Sequence, residues 1–406
     1  MRPTRRAFLG ASAAAVHIWI PKPVKGYTAA ELKPVTPMKP GISKWDLDTP
    51  ALVVDLDKLE RNIAKMQRTA NANKIGVRPH AKTHKCAAIA KLQMAAGAIG
   101  ICTAKLSEAE ALFDAGIDRI LMTTSNLPPA KVRRAMQLKK RMPGFIQAVD
   151  YEPNVLDLNA AARETGVVAD VVIDVAVGTR SGIPPGEDAV NLARLVDKQP
   201  GLKLRGMLSY DGGVQHVAGF AARKERALKA IEENARTYEK MKAGGLNTEI
   251  FSGGGTGTYN IYHLVPGFSD VQVGSYIFMD MQYIAIGNAD GQPVYDDFEP
   301  SLTVLATVVN NRFPGRLTTD AGAKALTINV PRAGVIGEPG MDYNAGSDEF
   351  GSITFKEARK DWKMGEKMEL IVPHCDPAVN LYDYIYGVRN DRVETVWEIT
   401  ARGHSQ

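Results

Sequence analysis

The sequence predicts an α/β protein: a (βα)8 barrel of the TIM type followed by a smaller, mainly β domain. Three observations lead there. Short apolar runs alternate with amphipathic helical stretches from residue 51 onward, the pattern of parallel βα units. Eight such runs lie between Gly76 and Val273, the number a barrel requires. From about residue 295 helical stripes become scarce, and strand-like runs follow one another through Gly and Asn turns. A doubly wound sheet is the structural alternative, but no GxGxxG follows the first strand, so its phosphate-binding turn is missing.

Taken in order, residues 1–35 read as an export signal and linker. Thr4-Arg5-Arg6-Ala7-Phe8-Leu9-Gly10 precedes an apolar run from Ala11 to Ile20, the layout of a twin-arginine signal. The run is too short for a comfortable membrane span, so no stable span is expected after cleavage near residues 20–35. The expected location is periplasmic, or cytoplasmic if this reading fails. The barrel domain is assigned to residues 45–290. Ala51–Asp55 is a strand ahead of the eight, a surplus element set to lean on the second domain. Asp57 and Glu60 form a capping-box pattern, and Leu59, Ile63, Met66 and Ala70 make one helical stripe. The barrel strands are Gly76–Pro79, Ile99–Thr103, Arg119–Thr123, Phe145–Val149, Asp170–Val177, Leu204–Ser209, Thr248–Ser252 and Asp270–Val273. Ser107 and Glu110 suggest a second capping box, with Gly116 closing that helix. The β domain, residues 295–406, has runs at Ser301–Asn310, Arg316–Asp320, Ala325–Asn329, Ser352–Phe355, Met368–Val372, Tyr384–Arg389 and Arg392–Ile399.

Composition narrows the function classes. At 406 residues with 45% hydrophobic and 23% charged, the chain can build packed cores in two domains. Its net charge of +5 is spread without a dense basic run, which argues against a nucleic-acid partner. Three cysteines with no CxxC pair give neither a disulfide framework nor a Cys-based structural zinc.

The chemistry-bearing residues fall at strand ends, where barrels place their sites. Arg78-Pro-His80-Ala-Lys82-Thr-His84-Lys85 follows the first barrel strand. Neighbouring cations disfavour the ammonium form, so a lowered Lys82 pKa is expected, and a neutral amine forms a Schiff base with an aldehyde. Spacing alone reads equally well as a solvated basic loop. Ser252-Gly253-Gly254-Gly255-Thr256-Gly257-Thr258 follows the seventh barrel strand; its glycines let backbone N–H groups approach an anion. Gly274-Ser275-Tyr276, after the eighth, is placed to complete that cup. Gly178–Gly182 offers Arg180 to a carboxylate or phenolic oxygen. Tyr210–His216 is polar and flexible. Either of these two could equally be a surface loop. His374 and Asp376, two apart at a strand end, are expected on one side with Cys375 facing away, a pair suited to a divalent, oxygen-preferring metal. Taken alone, that spacing more often closes a turn at Pro377.

Together these segments resemble the D-threonine aldolases and eukaryotic-type D-serine dehydratases. The resemblance runs from Asp48-Thr49-Pro50 through Arg78–Lys85, Gly178–Gly182, Tyr210–His216 and Ser252–Thr258 to His374–Asp376, Asn380-Leu381 and Val396–Gly403, covering roughly residues 45–403. It implies an alanine racemase-like fold and a homodimer, with pyridoxal 5'-phosphate held by Lys82. It implies a phosphate site at Gly253, Gly254, Gly255 and Thr256, with Ser275 and Tyr276 beside it. Arg180 corresponds to the arginine near the cofactor's phenolic oxygen, and Tyr210 to a tyrosine beside the cofactor; His80 joins the cofactor set. His374 and Asp376 correspond to the metal pair. Aldolase members carry His-x-Asp there and dehydratases His-x-Cys, so Asp376 favours an aldolase using Mn²⁺, Mg²⁺ or Ca²⁺ in preference to zinc. The implied substrate is a small D-β-hydroxy-α-amino acid, cleaved to glycine and an aldehyde, with His216 as a candidate base. The other readings are dehydration to a 2-oxo acid and ammonia, and a non-enzymatic pyridoxal-phosphate carrier. The β domain and its His-x-Asp pair argue against the carrier. The export signal departs from the family pattern.

Overall fold

A computed structural model of the chain describes residues 39–406; the segment read above as an export signal lies outside the described residues. Eight parallel strands run in the order β2-β9-β8-β7-β6-β5-β4-β3. They are β2 (Gly76–Val77), β3 (Ile101–Thr103), β4 (Arg119–Met122), β5 (Gly144–Val149), β6 (Ala169–Asp174), β7 (Leu202–Ser209), β8 (Ile250–Gly253) and β9 (Asp270–Val271). A parallel bridge between His80 and Cys102, with Cys102 N–H donating to the Pro79 carbonyl at 2.7 Å, closes the ring between β2 and β3. The predicted eight-fold barrel is therefore present. Cys102, Leu121, Ile146, Ala148, Val172, Leu208 and Ile250 fill its interior, so the lumen is a packed core rather than a pore.

The second sheet has nine strands in the order β11-β14-β13-β12-β15-β10-β1-β16-β17. Its members are β1 (Ala51–Asp55), β10 (Leu302–Phe313), β11 (Arg316–Thr319), β12 (Gly334–Val335), β13 (Asp342–Asn344), β14 (Gly351–Thr354), β15 (Lys367–Ile371), β16 (Tyr384–Arg389) and β17 (Arg392–Glu398). Pairing of β10 with β11 closes six of them into a small antiparallel barrel. The surplus strand β1 sits as expected with this domain, antiparallel to β10 and parallel to β16. Among the described residues, no helix is long and apolar enough to cross a membrane.

Several local expectations change. The helix Leu56–Ala72 is capped by Asp55, whose Oδ1 accepts the Lys58 N–H at 3.0 Å, not by Asp57. The next predicted cap also slides: Glu108, rather than Glu110, accepts the Ala104 and Lys105 N–H groups at 2.8 and 3.0 Å. Gly116, at φ +95°, does follow that helix. Ala325–Asn329 is not a strand; Ala323–Leu326 makes one helical turn. The residues are apolar enough for either, and tertiary context decides.

Candidate active site

Lys82 sits where β2 leaves the barrel. His80 N–H still bonds the Val273 carbonyl at 2.9 Å, and Ala81–Thr83 then forms a 3-10 turn. His80 caps that turn through Nδ1, which accepts the Lys82 N–H at 3.4 Å. Its Nε2 is left to meet the Thr123 hydroxyl at 3.2 Å. Burial, joined by the Lys82 charge, holds the His80 pKa well below the ordinary imidazole value, so the ring is neutral.

The Lys82 side chain enters a cavity of about 350 Å³ lined by His80, Thr123, Asp174, Arg180, Tyr210 and Gln272, among others. That size suits a small organic ligand. The Arg180 guanidinium lies over the Tyr210 ring, 4.9 Å from its centroid. Of the predicted residues, His80, Lys82, Arg180 and Tyr210 thus share one chamber. The glycines of the 253–257 turn are not part of its wall; they connect to the Gly274–Tyr276 loop, which packs on Thr83 next to Lys82. Thr256 Oγ1 accepts the Tyr276 N–H at 2.9 Å, and Gly274 packs so tightly on Thr83 that a Cβ there would stand 2.4 Å from the threonine hydroxyl. Gly254 has φ +64°, and a Cβ on it would meet Tyr262 at 2.7 Å; both the conformation and the space require glycine. Tyr276 contributes its backbone only. Its hydroxyl is buried against Gln93 Nε2 at 3.0 Å, and Gln93 Oε1 in turn meets His84 Nε2 at 3.2 Å. Ser275 is buried in the same loop.

The expected lowering of the Lys82 pKa is overturned. Burial does push it down, but the Asp376 carboxylate, in direct contact with Nζ, outweighs burial, and the net effect raises it. Counting charges along the chain found only cations; the decisive anion lies 294 residues away. Conversely, although burial disfavours the charged form, Lys82 and His374 hold the Asp376 carboxyl far below the usual range.

His374 and Asp376 lie near enough for the charge of each to act on the other, though not as neighbours on one face of a strand, and the cluster of ligand-type atoms around His374 is made with Asp280 and Cys375 and does not include Asp376. His374 is the extended N-cap of a short helix, Cys375–Val379, and Asp376 lies in its first turn. Both are partly exposed. Cys375 does not face away from the cluster: it is fully buried, and its thiol lies within 4.8 Å of ligand-type atoms of His374 and Asp280. Asp280 was not anticipated from sequence. It is fully buried, and its Oδ2 accepts from His374 Nδ1 at 2.9 Å. Burial opposes a positive His374, but the bond to Asp280 and the charge of Asp376 outweigh it and raise its pKa. The field there favours a cation. His216 is exposed and is not among the residues lining the cavity; its ring packs against Tyr283, centroids 4.4 Å apart. Burial lowers its pKa, with Asp280, His374, Asp376 and Lys82 all close enough to act on it.

Two buried residues brace these loops. Gln215 accepts the Gly257 N–H at 2.9 Å and donates to Asp211 at 2.7 Å. Arg223 donates to the carbonyls of Gly257, Val217, Ile286 and Gly287 at 2.8–3.0 Å.

Known proteins resemble this chain in sequence and fold. The model of the alanine racemase N-terminal domain matches residues 54–282, and that of a serine dehydratase domain matches residues 301–388. A 3-hydroxy-D-aspartate aldolase from Paracoccus denitrificans is 36% identical over 370 residues, 90% of this chain and 95% of the relative. The crystal structure of D-threonine aldolase from Filomicrobium marinum superposes with a TM-score of 0.87 at 36% identity, covering 91% of this chain and all of that one. D-threo-3-hydroxyaspartate dehydratase from Delftia sp. HT23 superposes at 0.78 with 28% identity, covering 88% and 98%.

Proposed function

This chain belongs to the family of the alanine racemase N-terminal domain, and from that premise we propose that it is a carbon–carbon lyase, an aldolase that cleaves D-β-hydroxy-α-amino acids to glycine and an aldehyde. The observation that carries the proposal is the bracketing of one amine: Lys82 Nζ opens into the cavity while its ammonium touches Asp376 of a His-x-Asp pair. The relatives named as aldolases match at higher identity than the dehydratase structure, which favours this reaction over loss of water.

The residues present fit pyridoxal 5'-phosphate. Lys82 would hold its aldehyde carbon, Arg180 and Tyr210 would border the ring, and the Gly253–Thr256 turn with the Ser275–Tyr276 backbone would receive the phosphate. Gly254 keeps the turn in a shape that no other residue allows, since its φ is +64° and a Cβ on it would clash with Tyr262. When bound, the cofactor supplies a sink for the electron pair left on Cα. A divalent ion fits His374 and Asp376, an imidazole nitrogen and a carboxylate oxygen that suit Mn²⁺, Mg²⁺ or Ca²⁺. It would lower the proton affinity of the substrate hydroxyl.

The chain's own groups do the rest. His216, neutral because burial holds its pKa down, takes the hydroxyl proton on a ring nitrogen, and that electron pair forms the aldehyde carbonyl as the Cα–Cβ bond breaks. His80, neutral and fixed between the Lys82 N–H and Thr123, adds no competing charge next to the amine. Leu208 and Val177 line the cavity as apolar wall and limit water at Cα. Incubating the purified, metal-loaded protein with D-threonine and D-serine tests the reading. Glycine plus acetaldehyde supports it; a 2-oxo acid plus ammonia replaces it with the dehydratase reaction.

A further inference from the structure

The geometry points to Asp280 as the positioning residue that turns His374 into a metal ligand, an inference that rests on the metal pair of the proposed aldolase. Three features single it out. First, its carboxylate is spent entirely inward. Oδ2 accepts from His374 Nδ1 at 2.9 Å and from the Cys375 N–H at 3.0 Å, and Oδ1 accepts the Tyr283 N–H at 3.0 Å. Second, it is completely buried, whereas His374 and Asp376 are both partly open. Third, it arrives from the barrel side of the chain, just after the loop that follows β9, 94 residues before the histidine it holds.

Asp280, His374 and Cys375 bring ligand-type atoms within 4.8 Å of one another and could themselves be taken for a three-ligand site. The hydrogen bonds argue otherwise. Both Asp280 oxygens already serve N–H donors, and Cys375 is fully buried behind them. A carboxylate has no proton to give, so the shared hydrogen with His374 must sit on Nδ1. That choice leaves Nε2 as the nitrogen with a free lone pair. A histidine whose Nδ1–H is held by a carboxylate is oriented and made more basic as a ligand, and removing such a partner typically lowers metal affinity about 10–100-fold. Asp280 therefore stands behind His374, and a divalent ion would be held by His374 Nε2 together with Asp376. The same carboxylate anchors the N-terminus of the helix bearing Asp376, through the Cys375 N–H, so it sets the position of both ligands.

The test is Mn²⁺ binding by isothermal titration to the cofactor-loaded full chain, comparing wild type with Asp280→Asn, Asp280→Ala, His374→Ala and Asp376→Ala. The asparagine variant is nearly isosteric and can still accept one N–H, but its amide can also donate to Nδ1 and move the imidazole proton to Nε2. The expected result is a loss of about 10–100-fold in Mn²⁺ affinity for both Asp280 variants, with the cofactor's visible absorbance retained. Nitrogen-15 spectra of the imidazoles should report the Nδ1–H tautomer for His374 in wild type and its loss in Asp280→Asn, a readout that a merely structural role would leave unmoved. If Asp280→Asn stays within about threefold of wild type while His374→Ala loses binding, the positioning role is overturned and the metal pair stands. If His374→Ala and Asp376→Ala also bind as wild type does, the metal pair itself is wrong and the inference falls with it. A misfolded Asp280→Ala shows as lost cofactor absorbance, and the tautomer of Asp280→Asn then decides the matter.

Discussion

Replacing Arg223 by methionine tests whether the loops around the proposed site are held by one buried cation. The side chain is fully buried, and its guanidinium serves four backbone carbonyls in three segments: Val217 after the His216 loop, Gly257 of the glycine turn, and Ile286 with Gly287 beyond the barrel. Methionine fills much of the volume and offers no donor. The Ile286 carbonyl keeps a second donor, the Gly219 N–H at 2.8 Å, so three carbonyls lose the arginine with no such substitute. Gly257 and Gly287 offer buried acceptors and Val217 a partly buried one, so at about 1–1.5 kcal/mol for each buried acceptor left unpaired the expected loss is about 2–4 kcal/mol. Arg223→Lys, with three donors on a flexible stem instead of a planar fork, should recover about half. The assay is urea unfolding followed by circular dichroism, where the midpoint should fall while the slope stays constant. A methionine variant within about 1 kcal/mol of wild type would refute the reasoning. So would a lysine variant no better than methionine.

Lys82→Ala should abolish the visible absorbance of the bound cofactor together with turnover, as read by a spectrum and a coupled aldehyde assay; a variant that keeps the absorbance moves the cofactor's attachment elsewhere. Chelation should cut aldehyde release while leaving that absorbance in place, and unaffected turnover would remove the metal from the mechanism. Gly254→Ala must adopt φ +64° and fit a methyl 2.7 Å from Tyr262, so cofactor affinity, followed by absorbance titration, should fall at least about tenfold; unchanged affinity would detach this turn from the phosphate. Asp174 gives a pH prediction. Burial, aided by the nearby Asp150 charge, raises its pKa to about 7, against about 3.9 in an unfolded chain. The folded state then holds an extra proton between about pH 4 and 7, so stability declines as pH rises through that window and the full cost applies above it. Asp174→Asn should flatten this slope and stabilise the protein at pH 8 by about 2–4 kcal/mol; a variant with the wild-type slope would show that the carboxyl ionises normally.

The barrel was legible because buried parallel strands announce themselves as short apolar runs, and those runs recur with helices between them. The β domain was legible in part. Gly334–Val335 and Asp342–Asn344 are too short and too mixed to stand out, whereas Ala323–Leu326 is made of good helix formers, a signal masked by the strand-like Thr327-Ile328 that follows. Lys82 and its chamber were readable because their residues cluster at strand ends. The charge state of Lys82 was not, since Asp376 is remote in sequence. Asp280 illustrates the same limit. In Met279-Asp280-Met281 it is a lone acid between methionines, and only the fold reveals that its partners come from residues 374 and 375. The only signal available was an unpaired charge in an apolar stretch, which seeks a partner when buried.

The insertion of β1 between β10 and β16 has consequences for how the polypeptide is made. Residues 51–55 leave the ribosome well before their partners: one neighbour is synthesised some 250 residues later and the other some 330 residues later. Until then the segment is an orphan apolar edge, and the domain it belongs to lacks a middle strand. Neither half of the gene should yield a well-behaved fragment, because a cut anywhere between residues 56 and 301 separates this strand from both of its partners.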